Sequence, residues 1–261
     1  MNFREYGTDK PNKIMLLHGG GLSWWNYRRE AEFLQRDYHV ILPILDGHAE
    51  SDRPFTTIED NAAEIIDFID SSLGGMVLLI GGLSLGGQIL LEMLSQRKDV
   101  CRYALVESAM VLPSRLTHAL IGPVFGSSLG LMRNKSFAHL QFRSLHMEDS
   151  LFDDYYRDTC KIAASDMIAF LKASTAYSMK ASMAGCTAAL HLFAGAKEVK
   201  GIKKSMTALH HALPASSATI LPGLYHGEFS LNHPQEYVNA LRTIIGEQPA
   251  PLSSGVKEET P

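Results

Sequence analysis

The chain has 261 residues, of which 46% are hydrophobic, and a formal net charge of −4. This length suits one large α/β domain with an inserted segment, and the composition excludes a disordered chain. The chain has no long Lys/Arg run and no stretch near the roughly 18 apolar residues of a membrane span, so we expect neither nucleic acid nor a membrane as a partner.

Three cysteines, Cys101, Cys160 and Cys186, are widely spaced and odd in number. They resemble neither a disulfide framework nor a paired zinc motif, so free thiols are predicted. The first seven residues lack the apolar core of a signal peptide. Both observations lead us to expect a cytoplasmic protein.

Apolar and amphipathic runs alternate through the first 110 residues. The apolar runs predict strands at 13–17, 38–43, 76–80 and 103–106. The amphipathic runs predict helices at 25–35, 58–69 and 88–94. Thr56-Thr57-Ile58-Glu59 resembles a capping box at the start of the second helix. This alternation predicts the α/β class, with a mostly parallel sheet covered by helices on both faces.

Strand patterns stop after about residue 112, and we interpret 113–187 as a helical cap over the sheet. Six of the eleven methionines fall between Met110 and Met183. Together with aromatic residues they predict either the lining of a deformable apolar pocket or the packed interior of the cap. The aromatic residues are Phe125, Phe137, Phe142, Phe152, Tyr155 and Tyr156.

Strand patterns return in the last third of the chain, at 189–194 and 219–221, with helices at 202–212 and 234–246. We therefore predict a core formed by 1–112 and 188–246. The remaining segment, 247–261, is rich in Pro, Ser and Glu and is predicted to be a disordered tail.

The motif Gly82-Leu83-Ser84-Leu85-Gly86 joins a predicted strand to a predicted helix. A serine on such a turn is held in a strained backbone conformation with its hydroxyl exposed, and the glycines avoid clashes across the turn. We therefore predict that Ser84 is a nucleophile.

A serine nucleophile needs a base, and the base needs an acid that holds its tautomer. His226 is the predicted base because its loop follows the last strand, at the sheet edge where reactive groups collect. His233 is the alternative. Glu198 follows the preceding strand and is the predicted acid. Glu107 is the runner-up, and Asp166, inside a predicted helix, is less suitable.

Acyl transfer also needs N–H donors for a developing oxyanion. Leu85 follows the serine and supplies one. The loop His18-Gly19-Gly20-Gly21 supplies the second, with Gly20 the first candidate and Gly21 the next. A phosphate-binding role for this loop is disfavoured, because it lacks the Gly-Lys-Ser/Thr ending.

With these motifs the chain resembles an α/β-hydrolase-fold serine hydrolase of the esterase/lipase-like superfamily. The order Ser84, Glu198, His226 matches that fold's nucleophile, acid and histidine, and His-Gly-Gly-Gly matches its oxyanion loop. Residues 46–51 resemble the loop Asp-x-x-Gly-His-Gly-x-Ser after the fourth strand. The chain departs from the family in using Glu as the acid, in Ala49 where the family has glycine, and in a short N-terminus that reduces the first strands to about 3–6.

The resemblance implies hydrolysis of a small or medium apolar carboxylic ester through an acyl-enzyme on Ser84, without cofactor or metal. Hydrolysis of a thioester, amide, lactone or carbon–carbon bond is the alternative, as is a non-catalytic ligand-binding receptor on the same fold. A small-molecule acyl substrate is the expected partner, and the sequence leaves the oligomeric state open.

Overall fold

The computed structural model describes residues 1–247, except for the side chains of 125–130 and 132. The predicted tail therefore lies outside the described residues, apart from Glu247. The carboxylate of Glu247 pairs with Arg242 of the last helix at 3.1 Å.

Seven strands of the described residues form one sheet. In chain order they are β1 (Phe3–Tyr6), β2 (Lys13–Leu17), β3 (His39–Pro43), β4 (Val77–Leu83), β5 (Cys101–Glu107), β6 (Ala189–Gly195) and β7 (Ser217–Leu221). Their spatial order is β1-β3-β2-β4-β5-β6-β7. β1 is antiparallel to β3, and all other neighbouring pairs are parallel. The predicted mostly parallel sheet is thus confirmed.

Helices cover both faces of the sheet, so its central strands are continuous buried apolar runs. On one face lie α1 (Arg28–Leu34), α9 (Glu228–Asn232) and α10 (Pro234–Ile245). On the other lie α2 (Ile58–Ser72), α3 (Leu85–Gln96) and α8 (Lys200–Ala212). Within the described residues, no helix combines the length and apolar character needed to cross a membrane.

The N-cap of α2 lies one residue later than the predicted capping box implies. Thr57, not Thr56, precedes the helix in extended conformation, with a φ of −140°. Its side chain accepts a hydrogen bond from the Asp60 N–H at 2.9 Å. Ile58 can therefore be the first helical residue, with its side chain buried in the core.

Between β5 and β6 the chain forms the helices α4 (Arg115–Met132), α5 (Lys135–Ser144), α6 (Phe152–Thr159) and α7 (Ala164–Ala176), with short 3₁₀ turns. Buried and partly buried polar contacts join this helical segment, the predicted cap, to the rest of the chain. The indole N–H of Trp25 donates to Asp158 at 2.9 Å. The amide of Gln88 donates to the carbonyl oxygens of Met110 and Ser174. The cap is therefore fixed beside the carboxyl ends of the strands.

Candidate active site

Ser84 lies on the turn between β4 and α3, with a φ of 53° and a ψ of −109°. A non-glycine residue in such a conformation stores about 1–3 kcal/mol of strain. The Ser84 N–H donates to the carbonyl oxygen of Glu107 at 2.8 Å, which holds the turn against β5. A Cβ on Gly82 would lie 2.5 Å from the Gly86 carbonyl oxygen, and one on Gly86 would collide with the Leu17 carbonyl oxygen. The glycines therefore allow the close backbone approach that the turn requires.

His226 comes to Ser84 from the loop between β7 and α9. Its Nε2 lies 3.1 Å from the Ser84 Oγ, and its Nδ1 lies 2.9 Å from the Glu198 Oε2. Since the Glu198 carboxylate accepts a hydrogen bond from the Nδ1–H, Nε2 is left as the acceptor for the serine hydroxyl. The imidazole is 49% exposed, so this side of the site is open to solvent. The alternative base, His233, occupies the residue before Pro234 at the start of α10.

Glu198 is a buried carboxylate in the loop after β6. Besides His226, it accepts hydrogen bonds at Oε1 from the Ser108 hydroxyl at 2.6 Å and from the Gly195 N–H at 2.9 Å. Burial alone would raise the pKa of Glu198. The hydrogen bond and charge of His226 and the two other donors outweigh it and lower the pKa below its ordinary value. The carboxylate is therefore charged at neutral pH.

Ser108 is a further residue of the candidate site, and the sequence pattern did not predict it. It follows Glu107 at the carboxyl end of β5 with a φ of 59°, and its N–H donates to the Phe193 carbonyl oxygen at 2.9 Å. This backbone conformation turns its hydroxyl toward Glu198. A polar residue directly after a buried parallel strand was the available signal.

Glu107, the runner-up acid, is buried behind the serine turn. Its Oε1 accepts a 3.3 Å hydrogen bond from the Ser230 N–H of α9, and its Oε2 has no hydrogen-bond partner among the described residues. Burial raises the pKa of Glu107 to about 7. Burial also raises the pKa of the neighbouring Glu30 carboxyl well above its ordinary value. Asp166, the third candidate acid, accepts from the Phe55 N–H at 3.0 Å.

In the glycine loop after β2, one of the expected oxyanion donors, the Gly21 N–H, already has a partner. The Gly21 N–H donates to the His48 Nε2 at 3.0 Å and is therefore engaged within the protein. The N–H groups of Gly20 and Leu85 have no hydrogen-bond partner within residues 1–247. A Cβ on Gly20 would lie 3.5 Å from the Leu85 side chain, so the two donors come from adjacent segments.

A cavity of about 190 Å³ lies between the glycine loop and the cap. It is lined mainly by apolar side chains, with Gln141, Tyr155 and Thr159 as polar members. The lining residues are Gly20, Gly21, Leu22, Gln141, Leu145, Tyr155, Thr159, Met167, Phe170 and Leu171. A larger cavity, of about 450 Å³, is bordered by acidic residues of α2 and includes neither Ser84 nor His226. The smaller cavity is not lined by Ser84 or His226 either, but it is lined by Gly20, the first candidate for the oxyanion donor, and we therefore associate the smaller cavity with the site.

The aromatic residues predicted to line the pocket lie in different places. Tyr155 lines the cavity. Phe142 and Phe152 pack against each other in the interior with ring centroids 5.3 Å apart. The Tyr156 hydroxyl donates to the Arg133 carbonyl oxygen. Phe137 lies at the surface, and the Phe125 side chain is outside the described part of the structure.

Among the described residues, no group of three or more His, Cys, Asp or Glu side chains is arranged to hold a metal ion.

Comparison with known proteins places this geometry in context. The profile of the alpha/beta hydrolase family matches residues 14–240. An esterase from Exiguobacterium antarcticum superposes with a TM-score of 0.79 at 16% identity, covering 94% of this chain and 95% of the other. An enol-lactonase from Burkholderia xenovorans gives 0.79 at 13% identity, covering 94% and 96%. A thermophilic esterase from Thermogutta terrifontis gives 0.75 at 18% identity, covering 93% and 91%.

The raised pKa of Glu107 predicts a pH-dependent stability. An unfolded carboxyl has a pKa near 4.5, so the folded protein holds this proton more tightly. The resulting stabilisation is complete below the unfolded pKa and is lost as pH rises through about 7. Between about pH 4.5 and pH 8, we expect the free energy of unfolding of the wild type to fall by up to about 3 kcal/mol relative to Glu107→Gln. Urea denaturation across this range measures the difference, and parallel curves for the two proteins would contradict the prediction.

Proposed function

Because this chain belongs to the alpha/beta hydrolase family, we propose that it is a serine hydrolase that cleaves a small or medium apolar carboxylic ester through an acyl-enzyme on Ser84. The observation that carries the proposal is the hydrogen-bonded chain from Ser84 through His226 to Glu198, with distances of 3.1 and 2.9 Å. These are the contacts that activate a serine and hold its base in one tautomer.

In the proposed mechanism the Ser84 Oγ attacks the ester carbonyl carbon while its proton passes to the His226 Nε2. Glu198 stabilises the imidazolium through Nδ1. The N–H groups of Gly20 and Leu85 donate to the oxyanion of the tetrahedral intermediate. As the intermediate collapses, the carbon–oxygen bond breaks and the leaving alkoxide takes the proton from Nε2. Water, deprotonated by His226, then attacks the acyl-enzyme, and the acid is released as Ser84 regains its proton.

The cavity beside Gly20 supports the size and character of the acyl group. Its volume, about 190 Å³, is slightly larger than an engineered apolar cavity of roughly 150 Å³ that holds benzene. An acyl group of that bulk fits, whereas a long fatty acyl chain would extend beyond the cavity. Met167, Phe170 and Leu171 provide an apolar wall for it.

Lactone hydrolysis is the second candidate. The enol-lactonase from Burkholderia xenovorans has a fold similar to this one, and a lactone is a cyclic ester on which the same triad would act. We also propose a cytoplasmic location, from the sequence features alone.

A ligand-binding receptor without catalysis is the alternative that experiment must distinguish from an enzyme.

Labelling with a fluorophosphonate probe tests the enzymatic assignment. We expect the wild type to be labelled on Ser84 and the Ser84→Ala variant to be unlabelled. In turnover, loss of a triad serine lowers kcat by about 10⁶-fold. Ser71→Ala is the matched control, because Ser71 lies exposed on α2 and should leave labelling unchanged. If the folded wild-type protein is not labelled, it is not a serine hydrolase.

The choice of acid predicts a ranking of two variants. Glu198→Gln removes the charge that stabilises the imidazolium, so we expect kcat to fall by about 10²-fold or more. Glu107→Gln leaves the His226 contact in place and should change kcat by less than about fivefold. Steady-state kinetics on a p-nitrophenyl ester measure both values, and the reverse ranking would move the acid to the end of β5.

The cavity predicts a limit on acyl length. Across p-nitrophenyl esters we expect kcat/KM to fall by about tenfold or more between butanoyl and octanoyl, since the added methylenes find no space. Leu145→Ala removes part of the cavity wall and should shift the optimum toward longer chains. Leu140→Ala is the matched control, because Leu140 is 69% exposed and does not line the cavity. An unchanged profile in Leu145→Ala would show that acyl groups bind elsewhere.

A further inference from the structure

His48 lies in the loop between β3 and α2 and is 4% exposed. Both of its ring nitrogens form hydrogen bonds with the backbone. Nε2 accepts from the Gly21 N–H at 3.0 Å, and Nδ1 lies 3.0 Å from the Asp46 carbonyl oxygen. Because an N–H can only donate, Nε2 must be unprotonated and Nδ1 must carry the proton. The ring therefore holds Gly21 as a neutral acceptor.

Two further aromatic rings contact the imidazole of His48. Phe170 of the cap helix α7 stacks on it, with ring centroids 4.5 Å apart and an interplanar angle of 18°. His18 meets it edge to face at 4.8 Å. The His18 Nε2 in turn accepts from the Leu45 N–H at 3.1 Å, so the loop that carries His48 is tied back to β2. These contacts and the two hydrogen bonds restrict the orientation of the His48 ring.

This arrangement matters because Gly19, Gly20 and Gly21 form a loop with little intrinsic rigidity, and glycine loses more conformational freedom on ordering than other residues. The Gly19 N–H donates to the Asn26 side chain at 3.2 Å. With the N–H groups of Gly19 and Gly21 engaged, the N–H of Gly20 is the one of these three that is left to face an incoming carbonyl oxygen. An oxyanion donor works only if its direction is set before the reaction.

We propose that His48 is a positioning residue for the oxyanion loop: by accepting the Gly21 N–H while stacked on Phe170, it directs the Gly20 N–H toward the oxyanion and couples the loop to the cap. This inference rests on the proposed function, since it assigns a role within the same site. Burial lowers the pKa of His48 to about 4, so the neutral acceptor form persists through the neutral range.

Two variants separate the acceptor from the ring. His48→Phe keeps an aromatic ring against Phe170 but removes the acceptor. His48→Gln loses the ring but offers a carbonyl oxygen to Gly21. We expect His48→Phe to lower kcat at least tenfold while KM changes less than threefold, because the oxyanion donor acts mainly in the transition state. His48→Gln should recover at least part of that loss.

His39→Phe is the matched control. His39 is also buried, and its ring lies 2.7 Å from the Glu5 carboxylate. It is the first residue of β3, at the end of that strand away from His48. It should affect stability without lowering kcat. Equal kcat values for His48→Phe and the wild type would overturn the proposal, as would a kcat in His48→Gln no higher than in His48→Phe.

Amide hydrogen exchange of Gly21, followed by NMR, gives a readout that does not depend on turnover. We expect protection in the wild type and in His48→Gln, and fast exchange in His48→Phe. Fast exchange in the wild type would overturn the proposal whatever the activity. If the wild type hydrolyses no ester, the proposed function fails, and the Gly21 exchange pattern still decides whether His48 holds the loop.

Discussion

The site depends on one buried charge, the carboxylate of Glu198. A charge without partners in the protein interior would be strongly unfavourable, so its donors must be present and correctly placed. They come from three successive strand ends: Ser108 after β5, Gly195 at the end of β6 and His226 after β7. The same interaction that keeps Glu198 ionised therefore brings His226 to the serine.

The strain at Ser84 is supported by the sheet around it. Its N–H is held by the Glu107 carbonyl oxygen, and the glycines on either side allow neighbouring backbone segments to approach closely. The Glu107 side chain meanwhile accepts from Ser230, close to the loop of His226. Glu107 thus links the two loops of the site without a hydrogen bond to the imidazole.

The cap acts on the site through the glycine loop. Phe170 lines the cavity proposed for the acyl group and stacks on His48, and a Cβ on Gly20 would lie 3.5 Å from its ring. In the proposed mechanism, one side chain of this helical segment would therefore link the binding of the acyl group with the orientation of the oxyanion donor. The imidazole of His226, by contrast, is open to solvent, which would leave a path for water in the proposed deacylation.

The amino-acid sequence by itself determined the alternation of strands and helices, the serine turn and the loops that carry Glu198 and His226. Hydrophobic periodicity and turn chemistry are local, and a parallel sheet brings its loops to one edge. Tertiary structure alone decided that Glu198 rather than Glu107 meets His226, that the Gly21 N–H is occupied by His48, and that Ser108 joins the site. These outcomes depend on side-chain directions between segments far apart in the chain, such as Ser108 and Glu198, which are 90 residues apart, and no local pattern encodes them.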